Sequence, residues 1–560
     1  MPATAAIRSS RPRRLADRAL ELVESPRFAA RALAVAIVFY AALVLWLTRG
    51  ASFTFEEITY VGQAKGFDLR EILMPYNGGH LIAVTHLLFE VNLRIFGPEQ
   101  LPFQLVVIAL TATTSALVFA LMRPRVGPLP ALAAAVVLLF MGTTPEVIHG
   151  WATMWVQATA AGLGGLLALE RRTRNWDVVA CVLFALAIAS FSVGVALALA
   201  AVVFLLTAGE RRRLWVPLVP LALYVVWWAW AQQFDAGNQS FANLLIVPVW
   251  TLDSLAAGAA ALTGVGVDLT REPVLWSVAL GWGRIVAVAL IVVAAFGIRR
   301  RGASPLLWAA LTFLVVLFVA QALSYSWTAL ERRTPDLDRY AYPIAIGIVL
   351  VLAASFRGWR PSRTAALAIL ALAVFALPVN LWMLRERGTQ IRTESDLAKA
   401  RMTAIEIERD VVPPDLVATG FQGGFVTTRA SDYLAAVDRF GSFGYSVPEL
   451  TAAPEGVRTA ADETLGAIVA PKLEPARGGS CTGGGPVELS GRTLLRSRAG
   501  GTVELRRFAD TPVVTAGTLE PGQVAAIELP ADSASQPWIA SVAAGDLQRC
   551  EPRGSSPPSK

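Results

Sequence analysis

Between two arginine clusters the chain reads NWDVVACVLFALAIASFSVGVALALAAVVFLLTAGE, positions 175–210. How this stretch divides decides the topology of everything after it. Arg171, Arg172 and Arg174 precede it, and Arg211, Arg212 and Arg213 follow it. Basic clusters in short loops stay on the cytoplasmic side of a membrane, so both flanks ask for the same side and therefore for two crossings. Two full-length crossings need about 40 apolar residues, more than the interval supplies. Ser190-Phe191-Ser192-Val193-Gly194 stands near its middle. We read two short helices, 177–190 and 193–207, joined by a turn there. The alternative is one long tilted helix, which would invert every later segment.

Working outward, the same rule applies to Arg8, Arg11, Arg13, Arg14 and Arg18 at the N-terminus. It applies equally to Arg123/Arg125, Arg299/Arg300/Arg301 and Arg357/Arg360/Arg363. Apolar runs fall between the clusters at 30–48, 101–122, 128–143, 154–170, 177–190, 193–207, 214–232, 276–298, 304–324, 340–356 and 363–384. The reading is an α-helical polytopic protein of the cell membrane with about 11 transmembrane helices. Residues 1–29 form a cytoplasmic basic N-terminus and 30–384 the membrane domain. The odd count leaves 385–552 outside as an exported α+β, β-rich domain, and 553–560 as a disordered tail. Composition agrees: 55% of the 560 residues are hydrophobic and 16% charged, against about 25% charged in a soluble protein. The net charge of +7 is mostly loop arginine, a topology signal and not a nucleic-acid footprint.

After residue 384 the chain turns rich in Gly, Pro, Thr and Asp. Segment 393–411 has a helical pattern, and 502–505 and 524–529 alternate as strands do. Cys481 and Cys550 both fall in this part, so one disulfide can form there if the region is exported. The alanine-, arginine- and glycine-rich, lysine-poor composition suggests a high-GC bacterium.

The outward loops carry the acids. Loop 49–100 is too long for a connector. In it, Glu56-Glu57-Ile58-Thr59-Tyr60 opens one helix and 81–96 forms another, ended by Gly97-Pro98; both are expected along the membrane surface. Loop 233–275, with Trp250, reads as an interfacial anchor or a lid.

Glu56-Glu57-x-x-Tyr60 resembles the Asp-Glu-x-x-Tyr/Phe motif in the first outer loop of the GT-C glycosyltransferases. That group includes protein O-mannosyltransferases and lipid A aminoarabinose transferases. The likeness continues through Asp68-Leu69, Pro75, Asn77-Gly78-Gly79-His80, Phe96-Gly97 and Leu101-Pro102-Phe103-Gln104-Leu105. It returns at Arg339-Tyr340-Ala341-Tyr342-Pro343. It covers about 55 residues closely and the layout to residue 384 loosely, and it does not extend to the C-terminal part. One departure stands out: Glu56 occupies a position that is usually Asp. The extra methylene either preserves the base with a shifted backbone or marks a member with changed activity.

The resemblance implies inverting transfer of a sugar from a polyprenyl-phosphate donor to an envelope acceptor at the outer face. Such a reaction needs a general base, a role for Glu56, and cationic stabilisation of the leaving phosphate. Glu57 would contact the acceptor or a metal, or hold the helix, since helical neighbours point about 100° apart. Arg339 with Arg332 or Arg333 suits the phosphate, because a guanidinium fork matches it. Tyr60, Asn77, His80 and Tyr340 complete the expected substrate contacts. No cofactor is required. A divalent metal stays open through His80, His86 and His149 with Glu57 or Glu146, although the spacing fits no standard zinc pattern. Expected partners are the lipid-linked sugar, the bilayer and the acceptor, with no nucleic acid. Two alternatives from other classes remain: a non-catalytic scaffold that keeps the fold, and a transporter, which would need a buried charge pair in mid-membrane.

Overall fold

The computed structural model describes residues 25–64, 66–76, 79–234, 239–267, 277–327, 332–419 and 427–552. The basic N-terminal stretch before Ser25, the tail after Pro552, Asn77 and Arg271 lie outside the described residues. The chain divides into two compact units. One comprises Met1–Arg49, Gly66–Asn92 and Gln100–Ile391; the other comprises Gly50–Lys65, Leu93–Glu99 and Arg392–Lys560.

The first unit is a helical bundle. Each apolar span read from the sequence falls on a helix. Among the described residues nine helices are long and apolar enough to cross a membrane. Their outer faces expose bulky apolar side chains, such as Val35, Val38 and Phe39 on Pro26–Leu47, and Ile285, Val288 and Val292 on Gly281–Arg301. Apolar surface repeated on this scale suits contact with lipid rather than water.

Residues 174–207 form two helices, Arg174–Ser190 and Val193–Thr207. Phe191 breaks the chain in an extended conformation. Gly194 lets the second helix fold back on the first: a Cβ there would stand 2.2 Å from the Ala187 carbonyl carbon. The far ends meet as well. Arg213 Nε donates to both Asp177 carboxylate oxygens at 3.0 Å, and its Nη2 donates to the Leu169 carbonyl at 2.8 Å. The pair is therefore a hairpin, and the single tilted helix is ruled out. The basic clusters gather at that end of the bundle. Arg125 pairs with Glu170, Gly358 N–H donates to the Arg125 carbonyl, and Arg357 donates to the Arg301 carbonyl.

Loop 233–275 proves to carry a helix, Val247–Thr263, entered through a 3-10 turn at Phe241–Ile246. With that turn, the stretch Phe241–Thr263 is long and apolar enough to cross, yet both of its ends are held at the end of the bundle opposite the basic clusters. Ser240 N–H donates to the Leu323 carbonyl at 3.0 Å, and Asn243 reaches the Leu323 and Tyr325 carbonyls. At the other terminus Ala279 N–H donates to Gly266, and Val278 N–H to Asp336. Positions 323–325 and 336 bracket one short connection, so the helix enters and leaves on the same side. Trp250 is buried against Tyr325 rather than facing lipid.

The second unit packs helices against two antiparallel sheets. The five-stranded sheet runs Leu473–Pro475, Val524–Glu528, Arg492–Ser497, Leu547–Pro552, Gly478–Thr482. The four-stranded sheet runs Val514–Leu519, Gly501–Arg506, Trp538–Ser541, Val487–Leu489. Their core includes Leu495, Val503, Leu505, Ile527, Trp538 and Leu547. Ala400, Ala404 and Ile407 join it from the end of a 45-residue helix, Arg363–Ile407. That helix does not stop at residue 384, because 385–407 contains no proline and is rich in strong helix formers. Cys481 and Cys550 are bonded across neighbouring strands.

Candidate functional site

The acidic helix Phe55–Gln63 starts in a capping box, for which Thr54-x-x-Glu57 is the sequence signature. Glu57 Oε2 accepts from Thr54 N–H at 2.8 Å and from Thr54 Oγ1 at 3.1 Å. Glu57 is buried and holds the helix start. Glu56, one position earlier, is exposed in the same first turn. Tyr60 is buried. Phe53 packs edge-on to Phe443, and the Arg401 guanidinium lies over Phe55. All of these residues belong to the second unit.

In the helical unit His80, Arg333, Arg339 and Tyr340 come together. His80 is placed by a bridge to Tyr76. Its Nδ1 shares a short hydrogen bond with Ser192 Oγ, at the hairpin turn, and its ring lies 4.5 Å from Phe191. Burial lowers the His80 pKa to about 3, helped by the charges of Arg333 and Arg339, so the imidazole is neutral at pH 7. Trp155 packs on Phe191 at 4.3 Å and faces Tyr340 at 5.9 Å. Arg333 is buried on a two-residue ribbon, Ser326–Trp327 paired with Arg332–Arg333. The Arg332 side chain lies outside the described residues. His86 is half-buried and stands edge-on to Tyr76, and desolvation lowers its pKa to about 4.

Beneath these residues lies a polar cluster whose assembly no local pattern announced. Segment 140–156 is wholly buried. Arg387, fully buried on the 45-residue helix, donates from Nη2 to Asp338 Oδ2 at 2.6 Å and to the Thr143 carbonyl at 3.0 Å. Its Nε donates to the Gly142 carbonyl at 2.7 Å. Asn380, two turns earlier, accepts from Thr143 Oγ1 and donates to the Ala261 carbonyl. Glu146 and His149 are buried beside this ion pair. Neither the Glu146 carboxyl nor the His149 ring nitrogens make a hydrogen bond of ordinary geometry among the described residues. Burial pushes the Glu146 carboxyl well above the usual range, and the Asp338 charge adds to that while Arg387 opposes it. Burial and Arg387 push His149 well down.

Among the described residues no three His, Cys, Asp or Glu side chains converge as metal ligands. Ser192, Phe191, Trp155, Asp338 and Arg387 escaped the sequence reading because tertiary contacts alone join them. The only hint was an arginine just past the last apolar run. No protein-family profile, no curated protein and no solved structure matches this chain.

Proposed function

We propose that this multi-pass membrane protein transfers a sugar from a polyprenyl-phosphate donor to an envelope acceptor at the outer face of the cell membrane. The observation that supports the reading is the meeting of His80, Arg333 and Arg339 at the end of the bundle away from the basic loop clusters. Two guanidiniums beside a neutral imidazole, next to apolar helices, suit a phosphate carried on a lipid tail. In this reading the acceptor hydroxyl gives its proton to Glu56 as its oxygen bonds to the sugar anomeric carbon. The bond from that carbon to the phosphate oxygen breaks, and its electron pair leaves with the polyprenyl phosphate. Glu57 holds the helix that carries the base, and the C-terminal part recognises the acceptor. The N-terminus is cytoplasmic and the C-terminal part external. The Cys481–Cys550 bond supports that orientation, because disulfides persist in oxidising compartments.

Transport is the second reading, favoured by the buried Asp338–Arg387 pair with Glu146 and His149 beside it. Asp338 opens its helix, so the pair stands at the end of that helix and not midway along it. A comparison of envelope glycans and polyprenyl-linked sugars tests the choice. The strains are wild type, a deletion, and the deletion complemented with Glu56→Gln or Arg339→Ala at equal protein level. Transfer requires that the deletion lose one glycan modification or accumulate a lipid-linked sugar, and that both variants behave alike. A wild-type profile with Glu56→Gln removes Glu56 as the base. A deletion with unchanged glycans removes transfer altogether.

A further inference from the structure

We infer that the second unit binds the phosphate headgroup of an anionic lipid in a cavity lined by Leu93, Arg94, Gly97, Arg439 and Phe440. The cavity holds about 420 Å³, room for a headgroup. Two chain regions far apart in sequence bring one arginine each to it, both from the last turn of a helix, Ala83–Phe96 and Ala430–Phe440. Gly97 and Gly441 end those helices in left-handed or extended positive-φ conformations. Their N–H groups donate to the Leu93 and Val437 carbonyls, so carbonyls that would repel an anion are partly occupied.

Arg439 is held in place. It donates to the Ala64 carbonyl and lies over the Phe440 ring at 4.9 Å. A guanidinium has five donors in a fixed fork, so it can hold Ala64 and face a ligand at once. The neighbouring acid, Asp438, is engaged by Arg409 at 2.8 Å. Ala64 directly follows the acidic helix Phe55–Gln63, so an occupant of the cavity would stand at the opposite end of that helix from Glu56.

A separate observation makes the ligand a lipid. Leu87, Val91 and Ile95, four residues apart on Ala83–Phe96, are all exposed, and so is Phe96. An exposed apolar stripe ending in an arginine is the pattern of a helix lying at a membrane interface. Acyl chains against Ile95 and Phe96 would leave the headgroup phosphate at Arg94 and Arg439. This inference does not depend on sugar transfer.

The test measures binding to the purified full chain in detergent. The probes are dihexanoyl phosphatidic acid, dihexanoyl phosphatidylcholine and inorganic phosphate. The proteins are wild type, Arg94→Gln, and Arg94→Gln/Arg439→Gln, each with its unfolding temperature recorded. The expected result is salt-sensitive binding of the phosphatidic acid that weakens at least tenfold in the double variant and measurably in Arg94→Gln, with little binding of the other probes. Equal binding of inorganic phosphate would overturn the lipid assignment. Undiminished phosphatidic acid binding in both variants, with unfolding temperatures unchanged, would overturn the site. Arg94→Gln keeps the test sound if loss of the Arg439–Ala64 bond loosens the fold.

Discussion

Adjacent glutamates in the first outer loop have different work. Glu57 is consumed by its capping box, whereas Glu56 stands exposed one position earlier. A glutamine at the third helical position can still accept from the cap residue. Glu57→Gln is therefore expected to hold stability within a few tenths of a kcal/mol, and Glu57→Ala to cost about 1 kcal/mol, read by chemical unfolding of the purified protein. A second residue, Glu408, is buried beside Arg507, which already pairs with Asp532 at 2.8 Å. Burial, with the Asp532 charge, raises its pKa from 4.5 to about 7 against the pull of Arg507. Stability from this group is thus fully present below about pH 4.5 and is lost as pH rises through 7. The loss is on the order of 3 kcal/mol at about 1.4 kcal/mol per pKa unit. Glu408→Gln should flatten the stability curve over that window and leave the variant more stable than wild type at pH 8. Parallel curves for the two proteins would show that Glu408 titrates normally.

Among the elements, the 45-residue helix Arg363–Ile407 has the widest reach. Through Asn380 and Arg387 it fastens the buried segment after Pro128–Leu139, the start of Asp338–Ser355 and the end of Val247–Thr263. Removing one member of a buried ion pair leaves the other charge without compensation, at a cost of about 3–5 kcal/mol. Arg387→Ala should lower stability by that amount in detergent. Asp338→Asn should cost less, because its amide oxygen can still accept from the guanidinium. Equal small losses would mean that water enters the cluster and screens the charge. The hairpin of Arg174–Ser190 and Val193–Thr207 was legible in advance, because arginine clusters flank it and five turn-prone positions interrupt it. The helix Val247–Thr263 was not: it is as apolar as a crossing helix, and only the hydrogen bonds at its two ends show that it turns back.

For the whole molecule, the proposed orientation assigns a compartment to each unit. Five basic clusters lie in short loops, and those described meet at one end of the bundle. Cys481 and Cys550 are bonded in the other unit. In intact cells, a thiol reagent that does not cross the membrane should label neither cysteine before reduction. After treatment with an impermeant reductant it should label both, with Cys181→Ala as the background chain. Labelling only after the cells are opened would place the C-terminal unit in the cytoplasm and reverse the proposed topology.

The sequence by itself determined the helical membrane bundle, the positions of its apolar spans, the hairpin at Phe191-Ser192, the capping role open to Glu57 and the β-rich character of the C-terminal part. These follow from periodicity, local charge and short-range hydrogen bonding, which act between residues a few positions apart. Only the tertiary structure decided that His80 meets Ser192, that Arg387 reaches Asp338 across 49 positions, and that Glu146 and His149 are buried beside that pair. It likewise decided that residues 50–65 cluster with the C-terminal part. Such pairings depend on which surfaces pack together, and a buried charge selects its partner only after packing has removed water from both.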